Sequence, residues 1–262
     1  MKFKEFKIHH FKGYVQNNYI VEYKDKILII DGASRPDVDP LHKYITKTLN
    51  SPVEKVKLFA VTHCHPDHAG AAGIFKKRFG TPIAAPHDID EWYHGFRGTL
   101  QHLSDTLQSR FMARKLKAKH RVLYYNKRIG PDFKLYDRSV LPGFEDWEAI
   151  HSPGHTMHNI SFYNKKYGIL YVSDTIIDSR GKFLPPVPVL FPELMKQTLR
   201  RIGMIKPEYL LLAHGGQPFY KFNQKMIDDP IRIINAGPPI YIRLFYFISK
   251  FTNVYRKNRE HA

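Results

Sequence analysis

Short apolar runs that end on polar, chemistry-bearing residues recur along this chain and set its plan. Val56-Lys57-Leu58-Phe59-Ala60-Val61 has the length and composition of a short buried strand. Ahead of it, residues 14–23 and 27–31 predict a β-hairpin with Lys24-Asp25-Lys26 at its turn. Leu41, Tyr44, Ile45 and Leu49 recur at helical spacing and predict a helix over 40–49. A second helix is expected over 69–79, where Gly80 is a fitting residue just past the end, and a short strand over 82–85.

The alternation then breaks. From about residue 87 to 130, Leu100, Leu103, Leu107, Phe111 and Leu116 predict one or two helices with an apolar face, read here as an insertion over whatever site the strands build. Strand-like runs return at 133–136, 147–151, 159–163 and 168–174, as though a second half were being built. Leu184-Pro185-Pro186-Val187-Pro188 is too proline-rich for a helix or a central strand and must be a surface loop. A helix over 192–205 opens on Pro192, where a missing N–H costs nothing, and 208–213 is the final expected strand. Two halves of strands followed by helices imply an α/β fold with two sheets face to face and helices outside.

Chemistry collects at the ends of these strands. The stretch Thr62-His63-Cys64-His65-Pro66-Asp67-His68-Ala69-Gly70 places three histidines and an aspartate within six positions, directly after the 56–61 strand. Neutral imidazole and carboxylate are the donors that zinc and similar divalent ions prefer. Three more candidates end later apolar runs: His155, Asp174 and His214.

With these residues in that order, the chain resembles the metallo-β-lactamase superfamily of metal-dependent hydrolases, from about Gly13 to about Gly216. His63, His65, Asp67 and His68 match its HxHxDH signature; His155, Asp174 and His214 match the later ligands, and Asp31 an early aspartate that supports them. The resemblance implies an αβ/βα four-layer sandwich. It also implies that His63, His65 and His155 hold one metal, Asp67, His68 and His214 a second, and that Asp174 bridges them. Seven donors exceed what one four-coordinate ion uses, so two divalent ions are expected, with zinc first and iron or manganese also compatible. A water between two cations loses a proton near neutral pH, and that hydroxide is the expected nucleophile. Lactam-cleaving relatives place a cysteine where this chain has Asp174, which argues against β-lactam hydrolysis and toward the glyoxalase II, lactonase and phosphodiesterase branches.

The remaining candidates admit two readings each. Asp67 is a candidate catalytic carboxylate as well as a ligand. His158 is placed to give a proton to a leaving group or to hydrogen-bond behind the ligands. Trp92, Tyr93 and Phe96 either line an apolar substrate pocket or anchor the insertion to the core. Cys64 reads either as a nucleophile, for which no partner arrangement singles it out, or as a small side chain packed under the metal loop.

Composition narrows the partners. Among 262 residues there is one cysteine, so no intrachain disulfide forms, which suits a reducing compartment. No stretch has the length of a membrane span and the N-terminus lacks the apolar core of a secretory signal, so a cytoplasmic protein is expected. No linker divides the chain, and one hydrolase domain over 1–239 is expected, followed by a basic amphipathic helix over 240–262 that either docks on the domain or lies on an anionic membrane. A formal charge of +17 favours an anionic partner. Between Thr106 and Pro131 there is no acidic residue, while Arg110, Arg114, Lys115, Lys117, Lys119, Arg121, Lys127 and Arg128 accumulate. The first expectation is a small-molecule ester, thioester or lactone substrate that is anionic or amphiphilic; the second is a phosphodiesterase or nuclease acting on nucleic acid; the third is a binding protein that has kept the fold without catalysis.

Overall fold

The structure is a computed structural model that describes residues 1–237 and Tyr255. The expected 240–262 helix therefore lies, apart from Tyr255, outside the described residues. Six strands form the first sheet in the order of the chain: β1 (Phe6–Lys12), β2 (Asn17–Tyr23), β3 (Ile27–Ile30), β4 (Val56–Ala60), β5 (Ile83–Pro86) and β6 (Phe133–Leu135). The first three are antiparallel and the rest run parallel from β3 onward. Six more form the second sheet: β7 (Val140–Leu141), β8 (Phe144–His151), β9 (Ile160–Asn164), β10 (Ile169–Tyr171), β13 (Tyr209–Leu211) and β14 (Phe219–Lys221), in the order β14-β13-β10-β9-β8-β7. A small hairpin, β11 (Ile177–Ser179) with β12 (Lys182–Leu184), lies apart. The helices are α1 (Val38–Lys43), α2 (Pro66–Ala69), α3 (Ala72–Phe79), α4 (Gly95–Lys115), α5 (Pro192–Ile205) and α6 (Lys225–Ala236).

Side-chain alternation explains the layering. Along β2 and β3, Tyr19, Val21, Leu28 and Ile30 face the second sheet, where they meet Trp147, Ala149, Phe162, Tyr171 and Leu211. Their neighbours Ile20, Ile27 and Ile29 face the other way and pack with Leu41 of α1 and Phe75 of α3. The second sheet repeats the scheme, with Leu170 and Leu210 against Met195, Leu199 and Ile202 of α5. Strands covered on both faces read as continuous apolar runs. The result is the four-layer αβ/βα sandwich expected from the sequence.

Several elements differ from expectation. β1 was not expected as a strand, although Phe6 and Ile8 alternate with Lys7 and His9 and pair in register with Tyr23 and Val21. Residues 133–135 do not open the second sheet; as β6 they close the first, beside β5. The expected 40–49 helix is α1 continued by a wider π turn over Tyr44–Thr48. β13 is followed by the edge strand β14 and by α6, a helix that crosses Pro230.

The largest departure is in the insertion. Its helix, α4, forms as expected, but with the opposite face inward: Gly98, Gln101, His102, Asp105, Thr106, Ser109 and Ala113 are buried, whereas Leu100, Leu103, Leu107, Phe111 and Leu116 are exposed. Residues beyond it return over the domain in irregular backbone to β6. Among the described residues, no helix is long and apolar enough to cross a membrane.

Candidate metal centre

Every expected ligand lies just beyond a strand. β4 runs out through Val61 and Thr62 into His63 and His65, and α2 then presents Asp67 and His68. His155 lies in the loop between β8 and β9, Asp174 in a single 3-10 turn after β10, and His214 beyond β13. Thus four donors come from the first sheet and three from the second. Backbone bonds hold the two edges together there: Ile160 N–H donates to Thr62 O (3.2 Å) and Asn17 N–H to Ala213 O (2.7 Å).

The side chains converge in two sets, His63, His65, His155 with Asp174, and Asp67, His68 with His214. In the first, His65 Nδ1 lies 3.1 Å from His63 Nε2 and 3.0 Å from His155 Nε2, and Asp174 Oδ2 is 3.3 Å from His155 Nε2. In the second, His214 Nε2 lies 3.4 Å from His68 Nε2 and 3.5 Å from Asp67 Oδ2. Asp174 turns its other oxygen to this set, with Oδ1 3.2 Å from His68 Nε2 and 3.3 Å from His214 Nε2. One carboxylate thus faces both groups.

The outward nitrogens of four of the five imidazoles have supporting partners, which fixes which nitrogen is left for an ion. His63 Nδ1 is 3.0 Å from the Thr62 hydroxyl, His155 Nδ1 is 2.8 Å from Pro188 O, and His68 Nδ1 is 2.5 Å from Asp31 Oδ2. His65 Nε2 is 3.4 Å from Asp105 Oδ2, a carboxylate delivered by α4. Asp31 supports more than one neighbour, since the Thr62 and Tyr171 hydroxyls also donate to its Oδ2, at 2.9 and 2.8 Å.

Electrostatics divides the centre in the same way. Burial, joined by the neighbouring imidazoles, holds His63 and His65 well below the ordinary histidine range, and burial also lowers His155. These three are therefore neutral and keep the lone pair that a metal requires. Burial acts downward on His68 and His214 as well, but the carboxylates, Asp174 foremost, outweigh it and raise both. Conversely, burial alone would raise Asp174, and the imidazoles of His68 and His214 hold it well below the usual carboxylate range.

The donor set fits divalent ions: nitrogen and carboxylate oxygen in two clusters, with Asp174 Oδ1 buried and lacking a hydrogen bond. An ion held by Asp67, His68 and His214 would satisfy that oxygen.

The other expected residues fall in three places. His158 lies behind the ligands, where its Nε2 accepts the Cys64 N–H (3.2 Å) and burial pushes it down to about 3. Accepting that bond, Nε2 is placed for the supporting role. Trp92 and Tyr93 are buried; the Trp92 ring meets His158 edge-on at 5.1 Å, and the Tyr93 hydroxyl donates to Asp105 Oδ2 (2.8 Å). Both anchor the insertion. Phe96 is 79% exposed on the outer face of α4 and lines no pocket beside the ligands. Cys64 is buried, with its thiol pushed up by burial, and its carbonyl accepts the Tyr125 hydroxyl.

The inner face of α4 was missed from the sequence. Besides Asp105, Ser109 Oγ donates to Asp67 Oδ1 (3.2 Å), so the insertion touches a ligand of each set. Burial, with Asp67 nearby, raises Asp105 to about 7 against the hydrogen bonds from Tyr93 and Gln101. A signal was present: Asp105 is the lone acidic residue between Glu91 and Asp132.

A family model described as the metallo-beta-lactamase superfamily matches residues 12–214. A hydroxyacylglutathione hydrolase from Idiomarina loihiensis is 21% identical over 177 residues, covering 65% of this chain and 50% of the relative. Ribonuclease J 1 from Streptococcus pyogenes is 34% identical over 79 residues, which are 27% of this chain and 13% of that protein. The chain therefore spans half or less of these curated relatives. Among solved structures, an archaeal metallo-beta-lactamase superfamily protein from Sulfolobus tokodaii superimposes with a TM-score of 0.63 at 15% identity, covering 97% of this chain and 98% of that one. At such identity the likeness is one of fold.

Proposed function

Because this chain belongs to the metallo-β-lactamase superfamily, we propose that it is a hydrolase that uses two divalent ions, zinc first, to cleave a carboxylic ester, thioester or lactone. The observation that carries this reading is the double convergence on Asp174, with His63, His65 and His155 on one oxygen's side and Asp67, His68 and His214 on the other's. Bound between these sets, the ions would supply Lewis acidity and bring the deprotonation of water toward neutral pH.

The chain's own residues do the rest. Burial keeps the imidazoles of the first set neutral and ready to ligate. Thr62, Pro188, Asp105 and Asp31 hold four of the five rings in orientation. Asp67 offers Oδ2 to the second set while Ser109 holds Oδ1, which suits a ligand better than a mobile base. α4 packs Asp105 against His65 and Ser109 against Asp67. Similarity to a hydroxyacylglutathione hydrolase supports a thioester or related acyl substrate.

A second reading, a phosphodiesterase or nuclease, is supported by the similarity to ribonuclease J 1 and by exposed cations at 114–128. One screen separates the two. Protein purified without chelator is assayed for metal by elemental analysis, then for hydrolysis of thioesters, lactones, phosphodiesters and single-stranded RNA at rising salt. About two ions per chain and acyl cleavage with a shallow salt dependence are expected. Cleavage of RNA or DNA with a steep salt slope, lost on reversing Arg114, Lys115 and Lys117, would establish the second reading instead.

A further inference from the structure

Among the described residues, the exposed row on α4 belongs to no interior. Phe96, Leu100, Leu103, Leu107 and Phe111 follow one another at steps of four, three, four and four, so they form a single ridge along one side of the helix. They are 79, 51, 44, 63 and 54% exposed, and Met112 and Leu116 widen the ridge at its C-terminal end. A continuous ridge of large apolar side chains on the outside of a domain marks a docking surface.

Its surroundings select the occupant. Arg97, Arg114, Lys115, Lys117, Lys119, Arg121 and Arg128 flank or follow the ridge and are exposed or nearly so, with no acidic side chain from Thr106 to Pro131. Lys115 Nζ sits 4.6 Å from the centre of the Phe111 ring, so charge and apolar surface adjoin directly. A second copy of this chain would bring like charges together. The chain's own segment beyond α6 would as well, since it carries Arg243, Lys250, Arg256, Lys257 and Arg259 against Glu260. A nucleic acid would match the charges but leave the ridge in water. A surface with an apolar interior and an anionic rim satisfies both.

We propose that the outer face of α4 docks this protein on an anionic phospholipid bilayer, the apolar ridge entering the boundary between headgroups and acyl chains while the flanking cations meet lipid phosphates and anionic headgroups. The inner face of the same helix carries Asp105 and Ser109 against the metal ligands. Docking therefore sets the candidate centre directly beneath the lipid surface, where an amphiphilic substrate would be supplied.

Co-sedimentation of the full-length protein with phosphatidylcholine vesicles, with and without phosphatidylglycerol, tests this without any turnover, so its outcome is independent of the hydrolase reading. Binding to the anionic vesicles alone is expected, falling as salt rises. The triple variant Leu103→Ser, Leu107→Ser, Phe111→Ser keeps every charge and removes exposed side chains only. It should keep its melting temperature and metal content while binding at least tenfold more weakly. As a milder probe, Phe111→Trp should give a blue shift in emission on adding anionic vesicles. No binding to anionic vesicles, undiminished binding by the triple variant, or an unshifted emission from the Phe111→Trp protein would overturn the proposal. So would a dimer in solution that the triple variant dissociates, since the ridge would then be a self-interface.

Discussion

Two buried aspartates at the centre are predicted to answer substitution in opposite ways, because they face different things. Asp31 has only protein neighbours: His68, Thr62 and Tyr171 around Oδ2, and the N–H groups of Gly32 and Thr62 at Oδ1. Asp31→Ala orphans all of these at once and should destabilise the fold by roughly 3–5 kcal/mol, read from denaturant midpoints. Asp174 faces imidazole nitrogens across a gap and has an oxygen without a hydrogen bond. Asp174→Ala should therefore cost little stability when both proteins are compared metal-free, while lowering activity more than about 100-fold, beyond what losing a ligand's outer support costs. Elemental analysis of the variant should show the loss of metal. Asp105→Asn, which weakens the support of His65, should lower metal affinity or activity by about 10–100-fold while the melting temperature of the metal-free protein is retained. The candidate ligands that the structure brings together were legible in the sequence from the HxHxDH stretch and the ordered strand-end His, Asp and His that carry the family resemblance. Asp105 was not, since nothing local shows which side of a helix meets the site.

At the scale of elements, the periodicities predicted what forms, and tertiary packing decided which way it faces. α5 matches its expected span, opening on Pro192 and closing on Lys206 in the left-handed conformation. α4 also forms, yet its apolar positions point outward because its inner face is committed to Asp105, Ser109 and His102, the last held at about 4 by burial with Lys127 adding to the effect. A hydrophobic stripe indicates a face that wants cover, and the period cannot name the cover. β1 escaped notice because its alternation is interrupted by His9-His10. The loop that carries His155 depends on Gly154, whose φ is +143° and where a Cβ would lie 2.5–2.8 Å from Met195 at the start of α5. Gly154→Ala should shift this loop, costing about 1–3 kcal/mol in stability and, because His155 moves, proportionally more in metal content. Chemical denaturation and elemental analysis on one preparation give both numbers.

For the whole molecule, the two stacked sheets were legible from the succession of strands and helices together with the family resemblance, whereas the hand-over at β6 depended on a pairing between distant segments that no local pattern encodes. The buried imidazoles give the fold a pH limit. His158 sits at about 3 when folded against an ordinary 6.5, so the unfolded chain binds its proton first as the solution is acidified. Stability is then fully present above about pH 6.5 and declines as pH falls toward 3, by at most about 1.4 kcal/mol per pH unit for this residue. Denaturation midpoints measured from pH 7.5 downward should show at least that slope, and His158→Gln should reduce it by this residue's share, leaving the part due to His63, His65, His102 and His155.

Ligands that arrive from both sheets have a consequence for the life of the protein in a cell. With one cysteine, the chain forms no disulfide between its halves, and an ion held jointly by His68 and His214 would be a reversible cross-link that exists only while the halves are together. Each tenfold rise of free ion above its dissociation constant should then add about 1.4 kcal/mol to the folded state. Resistance to a protease that cleaves the opened chain should rise with free metal and collapse on chelation. Abundance would then follow metal supply, with proteolysis removing the metal-free protein faster than the metal-bound form.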